Sequence, residues 1–260
     1  MDEQTVTLVK SVLLASLRRT LQRRQIEEPY KPEEFRLSSP FYARLVPDEI
    51  WRAAKFERSF VTSIGQGVFE QVAVIVAKGA GCEAEQGYRE TSEVWTGQLA
   101  EIQNILTNLR GGINRPNWLL EVAMVNNAVE IGQKVTRTVI SDLYIKKQDG
   151  TRNFYSLKTV KPNLDQTEKA KSDLLTLKAL NTNNVTFFAL PYNPYINRQS
   201  YNWQQAFKIF DMRQDPCVLI GEEFWNDIGG SGTYLKLLKL FEKAGEEFAP
   251  EIQAYLDGLI

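Results

Sequence analysis

A chain of 260 residues with 43% hydrophobic and 24% charged residues and a net charge of −1 has an ordinary globular composition, enough for one sizeable core or two modest ones. It contains no histidine, which excludes Ser-His-Asp triads, Cys-His dyads, HExxH zinc sites and imidazole proton shuttles. Any chemistry must therefore use carboxylates, lysine and a hard metal bound through oxygen. Cys82 and Cys217 form no spacing pattern and read as small hydrophobes in a reducing cytoplasm. Apolar stretches such as 72–77 and 185–190 are too short to span a bilayer, and the opening Met1-Asp2-Glu3-Gln4 has no signal-peptide pattern.

In chain order, Val6, Val9, Leu13, Leu17 and Leu21 recur at helical spacing and predict an amphipathic helix over 5–25. Arg18, Arg19, Arg23 and Arg24 close it, where cations suit the helix dipole and are equally able to meet phosphates or water. Pro29, Pro32 and Pro40 predict an extended connector. A short helix is expected over 47–55. Ser63 and Gln66 have capping-box spacing and would open a helix over 64–78. That helix is apolar nearly all round yet carries Glu70 in its middle. A buried carboxylate is costly unless paired or bound to metal; the plainer alternative is a thin polar edge with Gln66.

Residues 101–109 and 118–128 read as helices, the first ended by Gly111-Gly112. β-Branched residues over 136–147 and 153–160 predict two strands joined at Asp149-Gly150. Both strands are apolar on both faces, as in the middle of a covered sheet. A helix over 164–180, strands over 185–190 and 217–220, and helices over 234–244 and 250–259 complete the chain. The order strand, strand, helix, strand is that of an α/β fold whose last step is a parallel crossover.

Asp142 stands within Val139-Ile140-Ser141-Asp142-Leu143-Tyr144-Ile145, and Lys158 within Phe154-Tyr155-Ser156-Leu157-Lys158-Thr159-Val160. Each strand thus holds an ionisable residue where the pattern calls for an apolar one. A buried ion pair adds little stability, whereas perturbed charges in a core cluster at functional sites. An acid on one strand and a lysine on the next is the arrangement of metal-dependent phosphodiesterases. There the aspartate holds Mg²⁺ while the lysine orients the attacking water and stabilises developing charge.

On these residues the chain resembles the PD-(D/E)XK superfamily, and within it the TdeIII-type class of type II restriction endonucleases, over about residues 41–245. The resemblance rests on Phe56-Glu57-Arg58-Ser59-Phe60, Ser63-Ile64-Gly65 and Phe69-Glu70, then on Asp142 and Leu157-Lys158. It continues through Lys161-Pro162-Asn163-Leu164-Asp165-Gln166, Gly221-Glu222-Glu223-Phe224-Trp225 and Gly229-Gly230. It implies an α/β, restriction-endonuclease-like fold with a mixed sheet core flanked by helices. It also implies one nuclease domain over 1–260: an N-terminal helix and connector over 1–40, a catalytic core over 41–245 and a C-terminal helix over 246–260. The implied activity is Mg²⁺-dependent cutting of double-stranded DNA at a palindromic, GGNCC-class site, leaving 5′-phosphate ends. A homodimer in the cytoplasm, paired with a cognate DNA methyltransferase, would perform it. Asp142, Glu70 and the Leu157 backbone carbonyl become metal ligands, and Lys158 a catalytic residue.

The chain departs from that pattern at Ser156, where the superfamily usually has Glu or Asp; a hydroxyl is a poor Mg²⁺ ligand beside a carboxylate. Glu168, and after it Asp165, are the candidates for a displaced acid on the following helix. Base readout is expected from Asn163, Gln166, Asn193 and Arg198, and phosphate contact from Lys161, Lys169 and Lys171. For each, a solvent-facing loop residue is the plainer alternative. Two other readings stay open: a nuclease scaffold that lost catalysis and kept DNA binding, and an unrelated α/β domain with a structural Asp–Lys pair.

Directly paired residues of an antiparallel hairpin point to one face. A two-residue Asp149-Gly150 turn would set Asp142 opposite Leu157, away from Lys158. The chemistry therefore predicts a three-residue or longer odd loop, or a bulge, with Asp142, Lys158, Phe154 and Ile140 sharing a face.

Overall fold

In the computed structural model, which describes residues 1–258 apart from the side chain of Gln66, the chain divides into two compact units: residues 1–72 with 235–260, and residues 73–234. The first unit arises because both ends of the chain carry amphipathic helices. α1 (Glu3–Gln22) is capped by the Asp2 carboxylate, which accepts from the Thr5 N–H at 2.8 Å, and buries Val9, Leu13, Leu17 and Leu21. α2 (Pro32–Ser38) forms where an extended connector is expected. Pro32 opens it, where a missing N–H costs nothing, and Glu33 and Glu34 suit its dipole. α3 (Asp48–Ser63) runs past the expected end of its helix. Ser63 has a helical φ of −63°, so it is no N-cap and the expected capping box does not open here; the Gln66 side chain lies outside the described residues.

After a π-helical stretch, Ile64–Val68, α4 (Phe69–Gly79) begins, which places Glu70 in its first turn rather than mid-helix. A carboxylate is favoured there by the helix dipole. The two helices expected at the C-terminus are one, α10 (Thr233–Leu256), continuous through Pro250; residue 259 lies outside the described residues. Phe56 packs on Tyr255 with ring centroids 5.7 Å apart, Phe69 stacks on Phe241, and Lys10 pairs with Glu247. These contacts hold the last helix against the first ones.

The second unit contains β1 (Glu83–Trp95), α5 (Thr96–Arg110), α6 (Trp118–Asn127), β2 (Lys134–Lys146), β3 (Arg152–Leu157) and α7 (Leu164–Leu180). β4 (Val185–Leu190), α8 (Gln204–Phe207), β5 (Val218–Ile220) and α9 (Glu222–Gly229) follow. The strands form one mixed sheet in sequence order: β1, β2 and β3 are antiparallel neighbours, and β3, β4 and β5 are parallel. The α/β class and the parallel crossover through α7 follow the expectation. One sheet face buries Tyr144, Phe154, Phe188 and Leu190 with Leu174 and Leu177 of α7, Ile105 and Leu109 of α5 and Val125 of α6. On the other face Tyr155 meets Phe224 of α9 and donates to Asp227 at 2.7 Å, while Lys147 donates to the same carboxylate at 2.9 Å.

Lys171, expected at phosphates, is fully buried in this core. Its ammonium donates to the Ile209 carbonyl at 2.7 Å, pairs with Glu121 and lies 4.5 Å from the Phe210 ring centre. A buried charge must be satisfied internally, and this one is. Among the described residues no helix is long and apolar enough to cross a membrane.

Candidate active site

The β2–β3 hairpin closes through a three-residue loop, residues 148–150. The Lys147 N–H donates to the Thr151 carbonyl at 2.9 Å, and the Gly150 N–H donates to the Lys147 carbonyl at 2.9 Å. Gly150 has φ +85°, which a side chain would resist, and the Asp149 carboxylate accepts from the Thr151 N–H. The register then runs Lys146 to Arg152, Ile145 to Asn153, Tyr144 to Phe154 and Leu143 to Tyr155. Its next step sets Asp142 opposite Ser156. The odd loop that the chemistry demands is present, despite an Asp-Gly pair that favours two-residue turns.

Lys158 lies one residue past β3, where its N–H donates to the Ala189 carbonyl of β4 at 3.0 Å. Its ammonium donates to Asp142 Oδ2 at 2.7 Å, and the Ser156 hydroxyl donates to the same oxygen at 3.3 Å. Oδ1 has no hydrogen-bond partner among the described residues. The Asp142 and Lys158 side chains keep 29% and 24% of their surface open, so both remain accessible from solvent.

The face expected to include Ile140 does not hold it. Ile140 is exposed, and Val139 joins the buried cluster of Tyr144 and Phe154. The alternation slips at Asp142, because the β1–β2 ladder lacks one pair there. Gln86 pairs with Leu143 and Tyr88 with Ser141, while Gly87, at φ +67°, faces Asp142 without joining the ladder. Tyr88 can therefore stack on Tyr144 at 4.0 Å although its ladder partner is Ser141. Such local breaks commonly aim a side chain beside an active site.

Asp165 and Glu168 are both paired with Arg110 of α5. A third α7 acid, Asp173, which was not among the sequence candidates, lies within electrostatic reach of the pair. Partial burial pushes its carboxyl above the usual carboxylate range; its partner Lys169 and the Lys158 ammonium oppose that, and the Asp142 charge adds to it. At 3.6 residues per turn Glu168 lies roughly 140° around the helix from Asp173. The signal in the sequence was the amphipathic phase of α7: Ala170, Leu174 and Leu177 mark its buried face, and Asp173 adjoins that stripe. Glu70 belongs to the first unit, 1–72, and Asp142, Ser156, Leu157 and Lys158 to the second.

The proposed base readers are largely occupied. Asn163 and Gln166 form the capping box of α7, each carbonyl oxygen accepting from the other's backbone N–H. Asn193 accepts from the Tyr195 N–H. Arg198 donates to the Met212 and Asp215 carbonyls and to Glu223, which commits its guanidinium to the fold. Lys161 is exposed, 5.8 Å from the Trp203 ring centre, and is free to meet a phosphate.

No group of three or more His, Cys, Asp or Glu side chains stands ready to hold a metal among the described residues. Mg²⁺ does not need one, since it is commonly bound by one or two carboxylates together with substrate phosphate oxygens and waters. Asp142 Oδ1 and the main-chain carbonyl of Leu157, at the end of β3, are hard oxygen donors of that kind.

A family model described as "Type II restriction endonuclease, HinfI" matches residues 2–245 of this chain. The type II restriction enzyme HgiCII of Herpetosiphon aurantiacus is 30% identical over 220 residues, covering 82% of this chain and 80% of that one. HgiEI of the same organism is 31% identical over 222 residues, covering 82% and 79%. The matched description is that of HinfI, where the motifs resembled the TdeIII-type class. The chain belongs to the HinfI family of type II restriction endonucleases, site-specific enzymes that cleave double-stranded DNA.

Proposed function

We propose that the chain cuts DNA by Mg²⁺-dependent hydrolysis at the Asp142–Lys158 pair, acting as a homodimer on a short palindrome and leaving 5′-phosphate ends. The observation that carries this is the division of labour on Asp142: Lys158 and Ser156 both donate to Oδ2, which leaves Oδ1 open to a cation. Asp142 and the Leu157 carbonyl would hold Mg²⁺. When bound, the ion lowers the pKa of a water and neutralises phosphate oxygens. Lys158 would orient the attacking water, which gives up a proton to solvent as its oxygen bonds to phosphorus, and would stabilise the charge that develops on the phosphoryl group. The phosphorus–O3′ bond would break, and the 3′ oxygen would take up a proton from solvent. Two copies related by a twofold axis are the simplest way to cut both strands of a palindrome. A GGNCC-class site and a cognate methyltransferase complete the reading and rest on the sequence resemblance alone.

Plasmid DNA incubated with the wild-type protein should be linearised in Mg²⁺ and remain intact in EDTA. Asp142→Ala and Lys158→Ala should lose cutting while still binding DNA in Ca²⁺, because base and phosphate contacts lie elsewhere. Near wild-type nicking by either variant would remove these residues from the chemistry. DNA binding by a wild-type protein that never cuts would instead favour the alternative, a scaffold that lost catalysis at Ser156.

A further inference from the structure

β2 pairs with β3 only from Leu143 to Lys146, whereas its pairing with β1 continues to Lys134 and Trp95. Beyond Asp142 the two strands therefore form a two-stranded ribbon that extends past the rest of the sheet. One side of it is covered, for Val94 and Val139 are buried. The other presents Arg89, Thr91, Glu93, Thr136, Thr138 and Ile140, all exposed, with the Thr91 and Thr138 hydroxyls bonded across the strands at 2.8 Å.

We infer that the open face of this ribbon reads base edges in the DNA major groove, with Arg89 and the Thr91–Thr138 pair as contacts. The charge is complementary. Glu93 on this face lies 3.7 Å from Lys134 and Glu90 is paired with Arg152, while Arg89 has no carboxylate partner among the described residues. The dimensions fit: paired strands lie about 4.8 Å apart, and a groove about 12 Å wide admits such a ribbon where one of about 6 Å does not. Thr138 lies four residues before Asp142 on the same strand, roughly 14 Å at the usual rise. The reading face would thus sit about four base pairs from the phosphate to be cut. Arginine forks pair best with guanine, and threonine hydroxyls serve any base. Arg198, the one arginine expected to read bases from the loops, is consumed by the fold.

The inference rests on the nuclease reading only in placing DNA beside Asp142, so binding and cutting are tested apart. Lys158→Ala protein in Ca²⁺ is used to select duplexes from a library with a randomised window, alone and combined with Arg89→Ala or Thr91→Val/Thr138→Val. The valine pair keeps β-branching and so preserves the strands if an arginine variant fails to fold. The parent should enrich one short consensus. The ribbon variants should lose it or weaken it by at least about tenfold at one or two positions. An unchanged consensus bound with unchanged affinity by the Arg89 and the paired threonine variants overturns the inference. If the ribbon variants behave as expected but the wild-type protein cuts nothing in Mg²⁺, the ribbon stands and the Asp142–Lys158 chemistry falls.

Discussion

Ser156 stands where the resembled pattern has an acid, and Asp173 of α7 is a carboxylate whose raised carboxyl, pushed up mainly by burial, also carries contributions from Lys158 and Asp142. The sequence pointed to the helix after the hairpin, but it could not fix the phase of α7 against the sheet. Glu168 is drawn away by Arg110, a residue 58 positions earlier whose approach depends on tertiary packing. Asp173 shares the electrostatic field of Asp142 and Lys158. On the proposed Mg²⁺ mechanism, Asp173→Asn should therefore slow cutting by about 100-fold, the scale of losing a charge close to a catalytic metal. Glu168→Gln and Asp165→Asn should each cost less than about tenfold, because their carboxylates serve Arg110. Single-turnover cleavage rates decide it, and a full loss with Glu168→Gln beside an active Asp173→Asn would return the displaced acid to Glu168.

At the level of elements, the strands that carry Asp142 and Lys158 were visible because they are apolar on both faces, and the odd parity of their loop followed from requiring the two side chains to share a face. β1 escapes the same reading. Most of its residues are charged, polar or small, and of the thirteen only Val94 is buried, so no period-two pattern exists to find. The break in its ladder is equally silent in the sequence, yet Gly87 and Gly150 now offer a controlled comparison. Both have positive φ, +67° and +85°, and an added Cβ would meet nothing within 4 Å at either. Alanine at each should destabilise the fold by about 1 kcal/mol through backbone strain alone. Gly150 sits in the hairpin loop, so Gly150→Ala should leave cutting intact. Gly87 faces Asp142, and a backbone that relaxes its φ there shifts the carboxylate; Gly87→Ala should cut more than about tenfold slower. Equal activity of the two variants in a stability-matched assay would show that the ladder break does not aim Asp142.

Across the whole molecule, the partition into two units was the least legible feature, since it depends on helices near residues 10 and 250 meeting, a contact that local patterning does not encode. Burial of titratable groups has a consequence that does not depend on that partition. Burial pushes the Tyr155 hydroxyl, the Tyr201 hydroxyl and the Cys217 thiol above their ordinary values, and Asp227 beside Tyr155 adds to its shift. The unfolded chain releases these protons from about pH 9 to 10 upward while the folded chain holds them. Stability is thus fully present below that range and falls as pH rises, by about 1.4 kcal/mol per pH unit for each group. Tyr155→Phe removes the bond to Asp227 and should cost about 1–2 kcal/mol at neutral pH. It also removes one of the protons, so its stability should fall less steeply in alkali. The wild-type and variant curves, measured as urea midpoints from neutral to alkaline pH, should converge and cross near about pH 11. Parallel curves would mean that Tyr155 ionises as readily in the folded protein as in water, and that its burial against α9 is not what the structure describes.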